Sequence, residues 1–227
     1  MSQVLFEIKN LSKSYKFGKK TIKVLDGINF SIKKEEFLAI EGPSGSGKTT
    51  LLNLLGGLDR PDKGEVLFEG KNIFDLNDKE LAFYRSKKIG FVFQFFNLMP
   101  HLSVIENIVL PKFFSGDFNK KEDYKFAQEI LSKVGLEGKE NRKPFELSGG
   151  EQQRTAIARA LIQKPKAVLL DEPTGNLDYK NTLEIFKLLS ELNQKEKTTI
   201  IIATHDQTIE KFAKKILRIK EGKIYEN

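Results

Sequence analysis

The chain has 227 residues, 39% hydrophobic and 30% charged, with a formal net charge of +7 and no cysteine, which suits one large domain with a real core. Disulfides and thiolate metal sites are excluded, no apolar run is long enough to span a bilayer, and the N-terminus MSQVLFEIKN lacks a secretory pattern, so the cytosol is the default location. The positive charge sits on single and paired lysines such as Lys19–Lys20, Lys33–Lys34 and Lys87–Lys88, without an aromatic-interleaved stripe, so it reads as a solvated surface and no nucleic acid is expected.

In chain order, LFEIKN and VLDGINFSI alternate as short strands near the start. FLAIEG (37–42) is a compact apolar run closed by glycine, the pattern of a buried strand, and LLNLLGGL follows with helical spacing. IGFVFQ (89–94), AVLLDE (167–172) and TIIIATH (199–205) repeat the buried-strand pattern, each ending in a polar residue. Between Gln94 and Lys166 the chain turns helical: Ser103 to Glu106 forms a capping box, and Ala127, Ile130, Leu131 and Val134 line one helix face. The tail ILRIKEGKIYEN reads as two short strands about a Glu-Gly turn. The expected fold is α/β with a mostly parallel sheet, an N-terminal antiparallel β part and an inserted α-helical subdomain. Residues 1–94 and 166–227 would form the core and residues 95–165 the insertion, within a single domain.

GPSGSGKTT (Gly42, Pro43, Ser44, Gly45, Ser46, Gly47, Lys48, Thr49, Thr50) is the strongest chemical signal. It follows a strand and opens a helix, the context in which glycine N–H groups and a helix N-terminus cradle phosphate. Lys48 supplies a charge to β- and γ-phosphates, and the Thr49 hydroxyl is a ligand for Mg²⁺. AVLLDEP sets Asp171 at a strand end as a second metal ligand, with Glu172 next to it to polarise a water. A solvated turn is the plainer reading of two adjacent acids, but a phosphate loop needs a metal partner.

LSGGEQQR (147–154) raises a different question. Ser148, Gly149, Gly150 and Glu151 form a capping box, ordinary helix design. Yet two glycines in the first turn leave N–H groups bare, which makes a second anion site in a chain that already has one. Such a site has a purpose if it faces the nucleotide held by another copy.

With GPSGSGKT before it and LLDEPTGNLD after it, this stretch resembles the nucleotide-binding subunit of ABC transporters, and the resemblance spans essentially the whole chain. It implies a P-loop NTPase core, ATP hydrolysis with Mg²⁺, a head-to-tail homodimer in which LSGGE meets the γ-phosphate of the partner, and an integral membrane permease on a separate polypeptide, with this chain peripheral at the cytoplasmic face of the inner membrane. By matching position it makes Gln94 the link between Mg²⁺, attacking water and permease, and His205 the switch on the γ-phosphate. It places Asp178 in the loop that crosses the dimer interface and stacks Tyr15 on adenine. A core tyrosine and a strand-end histidine are the plainer alternatives for Tyr15 and His205. FFNLMP (95–100) is unusually apolar for a loop and is either part of the permease groove or packed inside the helical subdomain. PTGNLD and FQFFNLMPHLSVIENIVLP are most similar to the subgroup serving lipoprotein release and macrolide or peptide export, with the cell-division ATPase as near neighbour. The reading favoured is lipoprotein release. A permease-independent ATPase acting on nucleic acid is the alternative of a different class, supported only by the +7 charge.

Overall fold

The computed structural model describes residues 3–226 and arranges them as two sheets with helices on both sides of the larger one. β1 (Val4–Phe17) and β2 (Lys20–Lys33) are paired antiparallel, and β4 (Lys63–Phe68) and the short β5 (Lys71–Asn72) complete a four-stranded sheet in the order β2-β1-β4-β5. The second sheet runs β10-β9-β3-β8-β7-β6, built from β3 (Phe37–Glu41), β6 (Ile89–Val92), β7 (Ala167–Asp171), β8 (Thr199–Thr204), β9 (Lys215–Lys220) and β10 (Lys223–Glu226). Every pairing in it is parallel except β9 with β10, so the expected mostly parallel core is present.

The apolar runs lack alternation because the parallel sheet is covered on both faces. In β3, Phe37 and Ala39 enter one core while Leu38 and Ile40 enter the other. β8 splits likewise, with Ile200 and Ile202 on one side and Ile201 and Ala203 on the other. One core is shared with α3 (Val104–Ser115), α4 (Lys120–Lys133), α5 (Gly149–Leu161) and α6 (Tyr179–Glu196); the other lies under α1 (Lys48–Leu55) and the antiparallel sheet. Each large side chain buried there contributes about 1.5–3 kcal/mol relative to an exposed one.

Among the described residues no strand interrupts the chain between Val92 and Ala167. The capping box at Ser103 forms in full, and Ala127, Ile130, Leu131 and Val134 are all buried. These helices share their core with Phe37, Val92, Val168 and Ile200, so they stand on the sheet instead of closing a core of their own. α5 approaches β6 closely enough that a Cβ on Gly90 would lie 2.6 Å from the Ala160 carbonyl oxygen. The segment 63–88 has more structure than its sequence announces: β4, β5, α2 (Asp78–Phe83) and a π turn over Tyr84–Lys88. β4 opens with three exposed positions and buries only Val66 and Phe68, too short an alternation to stand out.

Candidate functional site: a phosphate cradle and a separate signature helix

β3 delivers the chain into the glycine-rich loop, and Gly45 (φ 77°) and Gly47 (φ 106°) take left-handed conformations that other residues adopt only with strain. At Gly42 space is the limit, since a Cβ would lie 2.5 Å from the Ile219 carbonyl oxygen and 2.6 Å from Ser46 Oγ. Ser46 Oγ is buried with no hydrogen-bond partner among the described residues, as expected of a group meant for a ligand oxygen. Lys48 is only 6% exposed. Its Nζ donates to the carbonyl oxygens of Gly42 (2.9 Å) and Pro43 (3.2 Å) and pairs with Glu172 Oε1 at 3.3 Å. A buried ammonium held by two carbonyls and one carboxylate at the mouth of the loop is well placed for phosphate acceptors.

β7 and β8 end beside this loop. Thr49 Oγ1 donates to Asp171 Oδ1 at 3.1 Å, so two of the three expected metal ligands are in contact. Burial first, and the neighbouring Glu172 charge with it, push the Asp171 carboxyl above its ordinary pKa despite Thr49 and Lys48. A divalent cation would relieve that cost. Among the described residues no cluster of three or more His, Cys, Asp or Glu can hold a metal by itself. One carboxylate and one hydroxyl are the sparse oxygen set with which Mg²⁺ is bound when substrate phosphates and water complete its shell. The residues therefore fit Mg²⁺.

Glu172 sits at a left-handed backbone position (φ 44°), fixed by its N–H to the Ala203 carbonyl at 2.8 Å. Its two oxygens face different partners, Oε1 toward Lys48 and Oε2 toward His205 Nδ1 at 2.9 Å. His205 is otherwise exposed, at 68% of its side chain. Gln94 follows β6 and packs on the turn after Glu172: its main-chain oxygen accepts from Asn176 Nδ2 at 3.1 Å, and its Nε2 would lie 3.0 Å from a Cβ on Gly175. Among the described residues no hydrogen bond joins Gln94 to Thr49 or Asp171. Tyr15 of β1 donates its hydroxyl hydrogen to Asp59 Oδ2 at 2.8 Å.

The signature stretch stands apart. Ser148 caps α5, accepting from the Glu151 N–H at 3.4 Å, while Glu151 accepts from the Ser148 N–H at 2.9 Å and also pairs with Lys139. Gly150 is buried, and a Cβ there would lie 2.6 Å from Asn181 Oδ1, so packing also favours glycine at this position. Gly149 is less enclosed, its nearest neighbour Leu177 Cδ2 at 3.3 Å from a Cβ. Asp178 is exposed and caps α6 through Asn181 N and Nδ2, both at 2.8 Å. Among the described residues no hydrogen bond or ion pair joins Ser148–Glu151 or Asp178 to residues 42–50. The apolar loop 95–100 divides: Phe96 and Leu98 pack on the core, whereas Phe95 is 70% and Met99 49% exposed.

Sequence reasoning missed Lys13, Asp59 and Asn181, which position Tyr15 and Gly150; each is a lone polar residue outside any motif, and only the fold brings it to its partner.

A glycine-rich loop opening a helix on a parallel sheet, with Lys48, Thr49, Asp171 and Glu172 converging, defines a P-loop ATPase. Residues 25–175 match the ABC transporter family, and the chain belongs to it. It is 45% identical over 224 residues to the lipoprotein-releasing system ATP-binding protein LolD of Wigglesworthia glossinidia brevipalpis, covering 99% of this chain and 97% of that one. The macrolide export ATP-binding/permease protein MacB of Syntrophobacter fumaroxidans is 43% identical across 97% of this chain, which spans 31% of that protein. The dimeric structure of MJ0796, a bacterial ABC transporter cassette, has a TM-score of 0.88 at 45% identity, covering 97% of this chain and 96% of that one. A post-hydrolysis state of the same cassette bound to ADP and Pi also scores 0.88, at 44% identity, with coverage again 97% and 96%. The chain is the ATP-binding, ATP-hydrolysing subunit of an ABC transporter. No described helix is long and apolar enough to cross a membrane.

The raised pKa of Asp171 gives a stability prediction. A carboxyl that binds its proton more tightly when folded makes the fold lose stability as pH rises from the ordinary carboxylate range through the raised value. Without nucleotide or magnesium, Asp171→Asn should raise the melting temperature at neutral pH, by about 2–4 °C per kcal/mol of relieved cost, and flatten that pH dependence. Thermal scans across pH check this, and an unchanged or lowered melting temperature contradicts it.

Proposed function

We propose that two copies of this chain close head-to-tail over two ATP molecules and drive a membrane partner, in a system that releases lipoproteins from the inner membrane. The observation that carries the shared site is that, among the described residues, no hydrogen bond or ion pair joins Ser148–Glu151 or Asp178 to the cradle of Gly42–Thr50 of the same chain. The dimeric form of the MJ0796 cassette supports it.

In each shared site the backbone of residues 42–50 and Lys48 bind the phosphates, and Tyr15 stacks on the base. Thr49 and Asp171, with Gln94 beside them, would hold Mg²⁺, which would supply neutralising charge to the phosphates. Glu172 accepts a proton from the attacking water. Lys48 and His205, converging on its two oxygens, fix the direction of that carboxylate. The partner's signature helix supplies N–H groups at its first turn, chiefly near Ser148 and Gly149. Residues 95–165 act as the subdomain that transmits closure, from Gln94 through the loop after it. Phe95 and Met99, which point outward, are the residues offered to the permease, and Phe96 and Leu98 anchor the loop beneath them.

Lipoprotein release is favoured because identity to the relatives of that name runs over nearly the whole of both chains. Macrolide or peptide export is the neighbouring reading, supported by the similarity to MacB. The place of work is the cytoplasmic face of the inner membrane, held there by the partner.

Glu172→Gln should retain ATP binding and slow hydrolysis by about two orders of magnitude or more, the effect of losing a positioned base. Near-normal turnover removes Glu172 from that role. Tagged chain taken from solubilised membranes should carry membrane subunits with a large extracytoplasmic domain, and Phe95→Glu should cut their recovery several-fold with ATP binding retained. Undiminished recovery places the contact elsewhere, and reconstitution without ATP-driven lipoprotein release rejects that substrate.

The shared site has its own test. Lys48→Ala and Ser148→Arg homodimers should both be inactive, because every site carries one defect. A mixture gathers both defects into one site of each heterodimer and leaves the other intact. With random exchange half the dimers are mixed, each with one good site of two, so about a quarter of the wild-type rate should return. No recovery in a mixture shown to exchange subunits rejects the shared site.

A further inference from the structure

We infer that Asp59 is a positioning residue for nucleotide binding: it locks the ring of Tyr15 so that one face is presented to the base at a fixed place beside the phosphate loop. The inference rests on the reading of Tyr15 as the base-stacking residue and goes beyond it.

The geometry is specific. Lys13 and Tyr15 are two apart on β1 and so share one face of the strand. Asp59 takes one with each oxygen: Oδ1 accepts from Lys13 Nζ at 2.7 Å and Oδ2 from the Tyr15 hydroxyl at 2.8 Å. Lys13, its side chain 11% exposed, also donates to the Arg60 carbonyl at 2.6 Å, and its Nζ lies 5.0 Å from the Tyr15 ring centroid. The ammonium therefore occupies one ring face, and a base can stack only on the other. Burial, then the bond to Asp59, raises the Tyr15 pKa and keeps the phenol a donor. Burial opposes ionisation of Asp59, but hydrogen bonds from Lys13, Tyr15 and the Arg60 N–H outweigh it and hold its pKa below the ordinary value.

The anchor is itself fastened to the phosphate-binding helix. The Leu58 N–H donates to the carbonyl of Asn53 on α1 at 2.8 Å. Two further bonds tie the same loop to β1, Asp62 N–H to the Ser12 carbonyl at 2.9 Å and Ser14 N–H to Asp62 Oδ2 at 2.7 Å. Ring and cradle are thus held in one frame before a nucleotide arrives. A free aromatic side chain would have to be ordered on binding, at a cost that pre-organisation removes.

The test compares ATP with inorganic tripolyphosphate, which uses the cradle but has no base. Tyr15→Ala should weaken ATP roughly five- to a hundred-fold, the range of one base stack. Tyr15→Phe keeps the ring and the Lys13–Asp59 pair and removes only the anchored hydroxyl. It should weaken ATP about three- to ten-fold, the scale of ordering one side chain. Asp59→Ala should fall in the same range in a wild-type background and add nothing to Tyr15→Ala. Tripolyphosphate should bind all variants as it binds wild type. If Tyr15→Ala weakens ATP while Tyr15→Phe and Asp59→Ala bind like wild type, the anchoring role is overturned and stacking stands. If Tyr15→Ala binds ATP normally, stacking itself fails. Equal loss for ATP and tripolyphosphate in Tyr15→Phe assigns the contact to the fold and overturns the proposal. Tyr15→Phe decides alone if Asp59→Ala, which strands a buried lysine, does not fold.

Discussion

The chemistry of this molecule depends on two carboxylates that consecutive residues place at the end of a buried strand. Asp171 and Glu172 would repel each other in any low-dielectric setting, and burial adds to the cost at Asp171. The fold divides them. Asp171 turns to Thr49 and the phosphate helix, and the left-handed backbone at Glu172 sends its carboxylate to Lys48 and His205. Each acid is thereby assigned a different neighbour, and hence a different use, by one unusual φ angle. The parallel sheet exists, in functional terms, to bring the ends of β3, β7 and β8 together so that this division can occur.

Much of this was legible in the sequence, for a physical reason. The buried strands are continuous apolar runs that stop at a glycine or a polar residue, and the stopping residues Gly42, Asp171 and His205 lie at the site. Phosphate binding by backbone demands glycine at fixed spacing, so the cradle is written locally. Caps are local too, and both capping boxes appear where the pattern of Ser and Glu placed them. What stayed hidden depends on distant partners. Tyr15 and Asp59 lie 44 residues apart, and nothing in the spacing of either announces the other. β4 and β5 were missed because a half-exposed strand of mixed polarity has no period long enough to register.

Gly150 shows how one residue can satisfy two demands that sequence cannot separate. Exposed glycine N–H groups at a helix start suggest an anion, and the fold adds the Asn181 side chain where a Cβ would stand. A side chain at this position would have to displace Asn181 whether or not an anion visits. Gly149, more open, is the better candidate for direct contact with phosphate.

That packing also bears on how the two halves of a shared site act together. Asn181 fills the space over Gly150 while holding Asp178 through two hydrogen bonds, and Leu177 lies against Gly149. The signature turn and the loop before α6 are therefore one packed unit in each chain. That loop begins at Glu172, whose carbonyl accepts from the Gly175 N–H at 3.1 Å, next to Gln94. A displacement of Glu172 or Gln94 caused by events at the cradle thus has a short covalent and packed route to the surface that the same chain offers to its partner. Ten residues, 172 to 181, join the catalytic end of β7 to the side chain that packs the signature glycine. In the proposed shared site, these residues are the route by which the state of one site would reach the other.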